Sequence, residues 1–382
     1  MNLKKLFSLI KTPLWTIIIP FIALLLIFFK ASLPSSIFTD ILLGVFLIGS
    51  VLAAVHHAET VAHRFGEPYG TIILALAITV IEVSLIVSIM LSETNDEPSF
   101  LARDTVFAAI MIILTGIIGL CFWVGGYHYK EQNFIKQGVS TGLITLIAIS
   151  TLTLILPNFT TSQAGNSYTN SQLIFVAIVS LILYIGFLAV QTIRHRNYFI
   201  IEETKEITHH EEINDEELKE IEEHLEENHV NLPTTIVAFA ILVVALTCVV
   251  LLSKMLSPTI ESAVVEAGAP KSLVGIIIAT VILLPEGLAA YKAAKRDRLQ
   301  TSLNLAIGSA LASIGLTIPA VAIVSYFTGL TVALGIDAKS TVLLITSLAT
   351  VYISISSGRT NIQQGIVLLV LFATYLFTTI TP

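Results

Sequence analysis

Eleven apolar segments, all but the first 18 residues or longer, leave this chain few ways to fold. They lie at residues 14–29, 37–57, 70–91, 105–126, 139–156, 172–192, 234–255, 272–291, 300–327, 339–356 and 362–380. Crossing about 30 Å of hydrocarbon takes roughly 20 apolar residues wound as a helix. Hydrocarbon offers no partner to backbone N–H and C=O groups, so each segment must satisfy its own, as a helix does. The expectation is an all-α polytopic membrane protein of about 11 transmembrane helices. With 55% hydrophobic and 12% charged residues, the composition excludes an ordinary soluble domain. Leu14–Phe29 follows Lys4, Lys5 and Lys11 as a signal peptide would. Ten more spans follow it, however, and Ala31-Ser-Leu is a poor cleavage site, so it reads as a retained helix. Cys121 and Cys248 both sit inside apolar runs, which argues against a disulfide framework.

The formal net charge of −7 misleads, because 13 acids between Glu202 and Glu227 share one loop with only Lys205 and Lys219. The rest of the chain is mildly basic. No basic stripe with interleaved aromatics is present, so nucleic acid is not an expected partner; the lipid bilayer is. Cytoplasmic loops are enriched in Lys and Arg. With the N-terminus inside, fifteen Lys and Arg fall on the cytoplasmic side and five outside, which predicts a multi-pass protein of the cell (inner) membrane in that orientation. In the acidic loop, Asn214 followed by Asp215, Glu216 and Glu217 reads as a capped helix start. The loop is either a solvated linker or a sensing element with His209, His210, His224 and His229 as its titratable groups.

The chain divides into a leading helix (1–33), a five-helix repeat (34–193), the acidic loop (194–232) and a second five-helix repeat (233–382). Glu59 and Glu261 each precede a glycine by seven residues, and each is followed by an acid inside the next apolar run, Glu82 after 23 residues and Glu286 after 25. Asp104-Thr105 and Gln300-Thr301 then stand at similar helix starts. Because five is odd, the two halves enter the membrane from opposite sides, the inverted-repeat plan of many secondary transporters.

Glu82 and Glu286 are the residues that demand explanation. An ionised side chain near a helix centre costs about 2.5–3.5 kcal/mol on insertion scales. On a helix, Glu82 shares a face with Thr79 and Ala75, and Glu286 shares one with Ala279 and Gly275. Small neighbours let another helix or an ion come close. Pro285 removes a backbone donor beside Glu286 and so frees a carbonyl. Hard cations take oxygen ligands, which two carboxylates, hydroxyls and carbonyls supply. The same carboxylates can hold protons instead, and a pair that takes either is the minimum machinery of antiport. In the spans that follow, Ser309 and Thr115 are chosen as further ligands, from a set that includes Asn304, Gly308, Ala312, Ser313 and Gly116. Glu59 and Glu261 are candidate pathway acids. His56, Glu59 and His63 form a metal-like face at i, i+3 and i+7, which a helix end explains more simply. No HExxH or Walker loop is present, so no enzyme activity and no cofactor are expected.

Gly66-Glu-Pro-Tyr-Gly70 through Ile81-Glu-Val-Ser84, Leu284-Pro-Glu-Gly-Leu-Ala-Ala290, Lys295 to Asn304 and Ala306 to Ala312 resemble the cation/calcium exchanger superfamily. The likeness is to its bacterial calcium/proton and sodium–potassium/proton antiporter (Cha-type) branch. It implies that Glu82 and Glu286 carry cation and protons by turns, with Glu59 and Glu261 on the pathways. The implied activity is export of calcium, and of sodium or potassium, against protons. In the broader calcium/proton exchangers a Gly-Asn-Ala-x lead places an amide oxygen three residues before each acid. Here those positions are Thr79 and Leu283. Fewer oxygen ligands weaken calcium exclusivity and leave proton coupling untouched. The alternative function is a channel or uniporter that uses the same acids as a selectivity site.

Overall fold

The computed structural model describes residues 13–29, 36–65, 69–90, 98–163, 165–199, 232–266, 268, 270 and 272–381. The acidic loop, with its four histidines, and residues 66–68 lie outside them. Eleven helical spans run in chain order: α1 (Trp15–Phe28), α2 (Ile37–Phe65), α3 (Tyr69–Met90), α4 (Leu101–Tyr129), α5 (Lys136–Phe159), α6 (Asn170–Arg194), α7 (Leu232–Glu266), α8 (Ser272–Lys295), α9 (Leu299–Thr328), α10 (Ala338–Ile355) and α11 (Ile362–Ile380). Among the described residues, nine are long and apolar enough to cross a membrane by the strictest measure, and α1 is a shorter apolar helix. The protein is an all-helical, multi-pass membrane protein, as the apolar runs predict.

The helices form two compact units. The first holds α1, α2, α3 up to Ile81 and α7 up to Leu256. Inside it α1 lies on α2 where Gly49 makes room, since a Cβ there would meet Ile19 Cγ2 at 2.8 Å. Cys248 donates its thiol to the Pro20 carbonyl at 3.2 Å. The second unit holds α3 from Glu82 onward, α4 to α6, the end of α7 and α8 to α11. These units are defined by packing, a different property from the sequence repetition that sets the four segments above.

In the second unit α4 is the most enclosed span, with 83% of its apolar window buried. It bears on α11 through glycine: a Cβ on Gly365 would stand 2.4 Å from the Trp123 backbone nitrogen, and one on Gly126 2.4 Å from that of Ile362. Midway, Ile112–Ile117 forms a π-helical turn. α6 shows how a membrane span sorts its residues when both faces are apolar. Ser180, Tyr184 and Phe187 are buried, whereas Ile178, Ile182 and Ile185 are exposed where lipid would lie.

The connections gather at two ends. At one, β1 (Glu131–Asn133) pairs antiparallel with β2 (Arg359–Asn361), Gln132 donates to the Ala294 carbonyl (2.9 Å) and Asp297 (2.8 Å), and Asn304 donates to the Phe199 carbonyl. Lys130, Lys136, Arg196, Lys295, Arg296, Arg298 and Arg359 lie in or beside these connections, the set that the charge rule placed on one side. At the other end the Ser99 amide bonds to Thr331, Asn158 to Ile336 and the Gly335 amide to Asn166.

Candidate functional site

Both acids lie within the second unit. Glu82 on α3 is only 4% exposed, and Glu286 on α8 is half-buried. Helix α8 continues through Pro285 to Lys295 without a break, so Glu286 projects from regular helix. The small residues on its face do what their size allows. A Cβ on Gly275 would stand 3.1 Å from the Asp104–Thr105 backbone of α4, and one on Gly287 3.2 Å from Ile117 in the π-helical turn. Helix α4 therefore lies directly against the acid-bearing face of α8.

One helix supplies hydrogen-bond donors to both carboxylates. The Ser313 hydroxyl of α9 donates to Glu82 Oε1 at 2.6 Å, and the Ser309 hydroxyl donates to Glu286 Oε1 at 3.0 Å. Four residues along a helix is about 6 Å and one turn, so the two serines share a face of α9. They hold the two acids at adjoining turns of one helix face. The second oxygen of Glu286, Oε2, is buried without a protein partner among the described residues. Such an oxygen, beside a second carboxylate and two hydroxyls, is a donor set for a hard cation. Hydroxyls both donate and accept. Each serine can therefore donate to a bare carboxylate and turn its oxygen toward a cation when one binds.

Of the other residues chosen from sequence, Thr79 is buried one turn before Glu82 on α3. The Thr115 hydroxyl donates to the Met111 carbonyl at 2.5 Å, within the helix that carries the π-helical turn. Glu59 is half-buried on α2, in the first unit. Glu261 lies on α7, and its side chain is outside the described residues, as is that of His63. The metal-like face with His56 thus falls partly outside the described residues, and among the described residues no three His, Cys, Asp or Glu side chains come close enough to hold a metal ion. Ser313 is the residue that the choice of ligands passed over. Its spacing of four from Ser309 was the available signal.

Known proteins agree with this architecture. The sodium/calcium exchanger protein family matches residues 35–193 and 237–381, most of the chain. A putative ionic transporter of Sinorhizobium fredii, y4hA, is 42% identical over 375 residues, covering 97% of each chain. The sodium-potassium/proton antiporter ChaA of Escherichia coli is 34% identical over 369 residues, covering 95% of each. Among solved structures, the H+/Ca2+ exchanger CAX superposes with a TM-score of 0.68 at 15% identity, over 98% of this chain and 88% of that one. That likeness carries the fold, the inverted-repeat architecture expected from the odd helix count.

Proposed function

The chain belongs to the sodium/calcium exchanger protein family, and on that premise we propose that it is a cation/proton antiporter in which Glu82 and Glu286 bind the exported cation and protons by turns. It is a transporter and not an enzyme. The observation that carries this reading is the pair of serines one turn apart on α9, each donating to one of the two acids. Both carboxylates bare in a low-dielectric site would be costly, because burying unpaired charge costs several kcal/mol per ion. The site is therefore stable when it holds a cation or when it holds protons, and that exclusion couples the two flows.

The exported cation in this proposal is calcium, with sodium or potassium beside it. The near full-length similarity to a sodium-potassium/proton antiporter and the lack of amide oxygens at Thr79 and Leu283 support the broader range. Glu59 and Glu261 serve as pathway acids in the same proposal.

Everted membrane vesicles with an imposed proton gradient test it. Glu82→Gln and Glu286→Gln should each abolish cation-induced proton release while the protein is still made. Exchange surviving in either variant would sink the two-carboxylate mechanism. Cation flux indifferent to the proton gradient would point to a channel instead. Calcium, sodium and potassium offered separately give the substrate range.

A further inference from the structure

Hydroxyls on membrane helices commonly bond to the carbonyl four residues back, and here Thr115, Thr153, Ser253, Thr280 and Thr379 do so. Thr317 on α9 does not. It is 0% exposed, and its hydroxyl has no protein partner among the described residues. Buried polar groups are almost always bonded to protein or to water. Ser150, Ser180 and Ser347 are also buried and unpartnered, so this alone marks nothing. Position sets Thr317 apart. It continues the spacing Ser309, Ser313, Thr317, about 40° round the helix from Ser313 and about 6 Å further along it. It extends the acid-binding face toward the end of α9 away from the Lys- and Arg-rich connections.

We propose that Thr317 is a proton-relay residue for Glu82, passing protons through one water to the Ser313 hydroxyl and on to the carboxylate. The spacing decides between this and a role as cation ligand. Oxygens on opposite sides of a calcium ion are about 5 Å apart, because each lies at about 2.3–2.6 Å. Thr317 lies about 12 Å along α9 from Ser309, so one ion cannot reach the whole row, whereas the about 6 Å from Ser313 to Thr317 is spanned by two hydrogen bonds of about 2.8 Å through a water. Ser302 lies on the same face but about 10 Å from Ser309, too far for a single water. In the relay, Ser313 gives its hydrogen to Glu82 Oε1 and takes one from the intervening water. That water takes one from Thr317, which is reprotonated from water beyond it. One proton reaches Glu82, each hydroxyl ends as it began, and nothing is oxidised or reduced.

The inference rests on the antiport reading above, and the test separates the two. Wild-type, Thr317→Val and Thr317→Ser proteins are purified and reconstituted in liposomes, and exchange is followed against cation concentration in water and in deuterium oxide. Positioned proton-transfer groups typically contribute 10²–10⁴-fold to a rate; because water can partly replace one relay station, Thr317→Val should slow maximal exchange by about tenfold. The cation KM should be unchanged, the solvent isotope effect larger, and Thr317→Ser should restore the rate. A wild-type rate in Thr317→Val, or a raised KM at an unchanged maximal rate, overturns the relay. A Thr317→Ser protein as slow as Thr317→Val, both melting at the wild-type temperature, overturns it too. Wild-type protein that exchanges no cation for protons overturns the antiport reading itself.

Discussion

Replacing Ser313 by alanine is the most direct probe of how the site holds its acids. The hydroxyl removed lies 2.6 Å from an oxygen of a carboxylate that is only 4% exposed, so solvent can do little to replace it. A hydrogen bond to a charged group is worth about 1.5–3 kcal/mol. At 1.4 kcal/mol per factor of ten, Ser313→Ala should weaken apparent cation affinity by about 10–150-fold. Ser309→Ala should cost less, because that bond is longer, at 3.0 Å. About 0.5–1.5 kcal/mol, or a roughly 2–12-fold loss, is expected there. The assay is exchange in vesicles over a cation concentration series, with KM as the readout and protein amount checked by blotting. The ranking is the sharp part of the prediction. An effect of Ser309→Ala equal to or larger than that of Ser313→Ala would refute the reasoning, as would a Ser313→Ala KM within about twofold of wild type.

Two further outcomes follow from the packing. Thr115→Val should leave cation KM within about twofold, because the hydroxyl is spent on the Met111 carbonyl; a loss as large as that from Ser313→Ala would return Thr115 to the ligand set. Gly365→Ala should destabilise the purified protein by about 1–3 kcal/mol, read as a lower melting temperature in detergent, because the new methyl meets the Trp123 backbone rather than a side chain that can turn away. An unchanged melting temperature would mean that α4 and α11 can part at little cost.

The spans were legible because hydrocarbon makes one demand of every segment, and the apolar runs place all eleven helices to within a few residues except where helices extend past the bilayer, as at Leu232–Glu266. The acids were legible for the opposite reason, since each breaks an apolar run at a cost. Their partners were only half legible. Ser309 and Ser313 both read as small polar positions, but which of them meets which acid depends on how α3 and α8 are set against α9, and no single segment encodes that. Thr115 reads as equivalent to them by depth, and the bond of its hydroxyl to the Met111 carbonyl is a local contact that composition does not reveal. The pairing of β1 with β2 escaped notice because three residues on each side carry no period to detect.

The serine pair also bears on how the two halves divide the work. Counted from the matched helix starts Thr105 and Thr301, the counterparts of Ser309 and Ser313 on α4 are Ile113 and Ile117, or Leu114 and Ile118 if the π-helical turn adds one residue. All are apolar. Both serine donors to the acids thus belong to the second half. The halves therefore take unequal shares of the work, and any change in α9 falls on both acids at once.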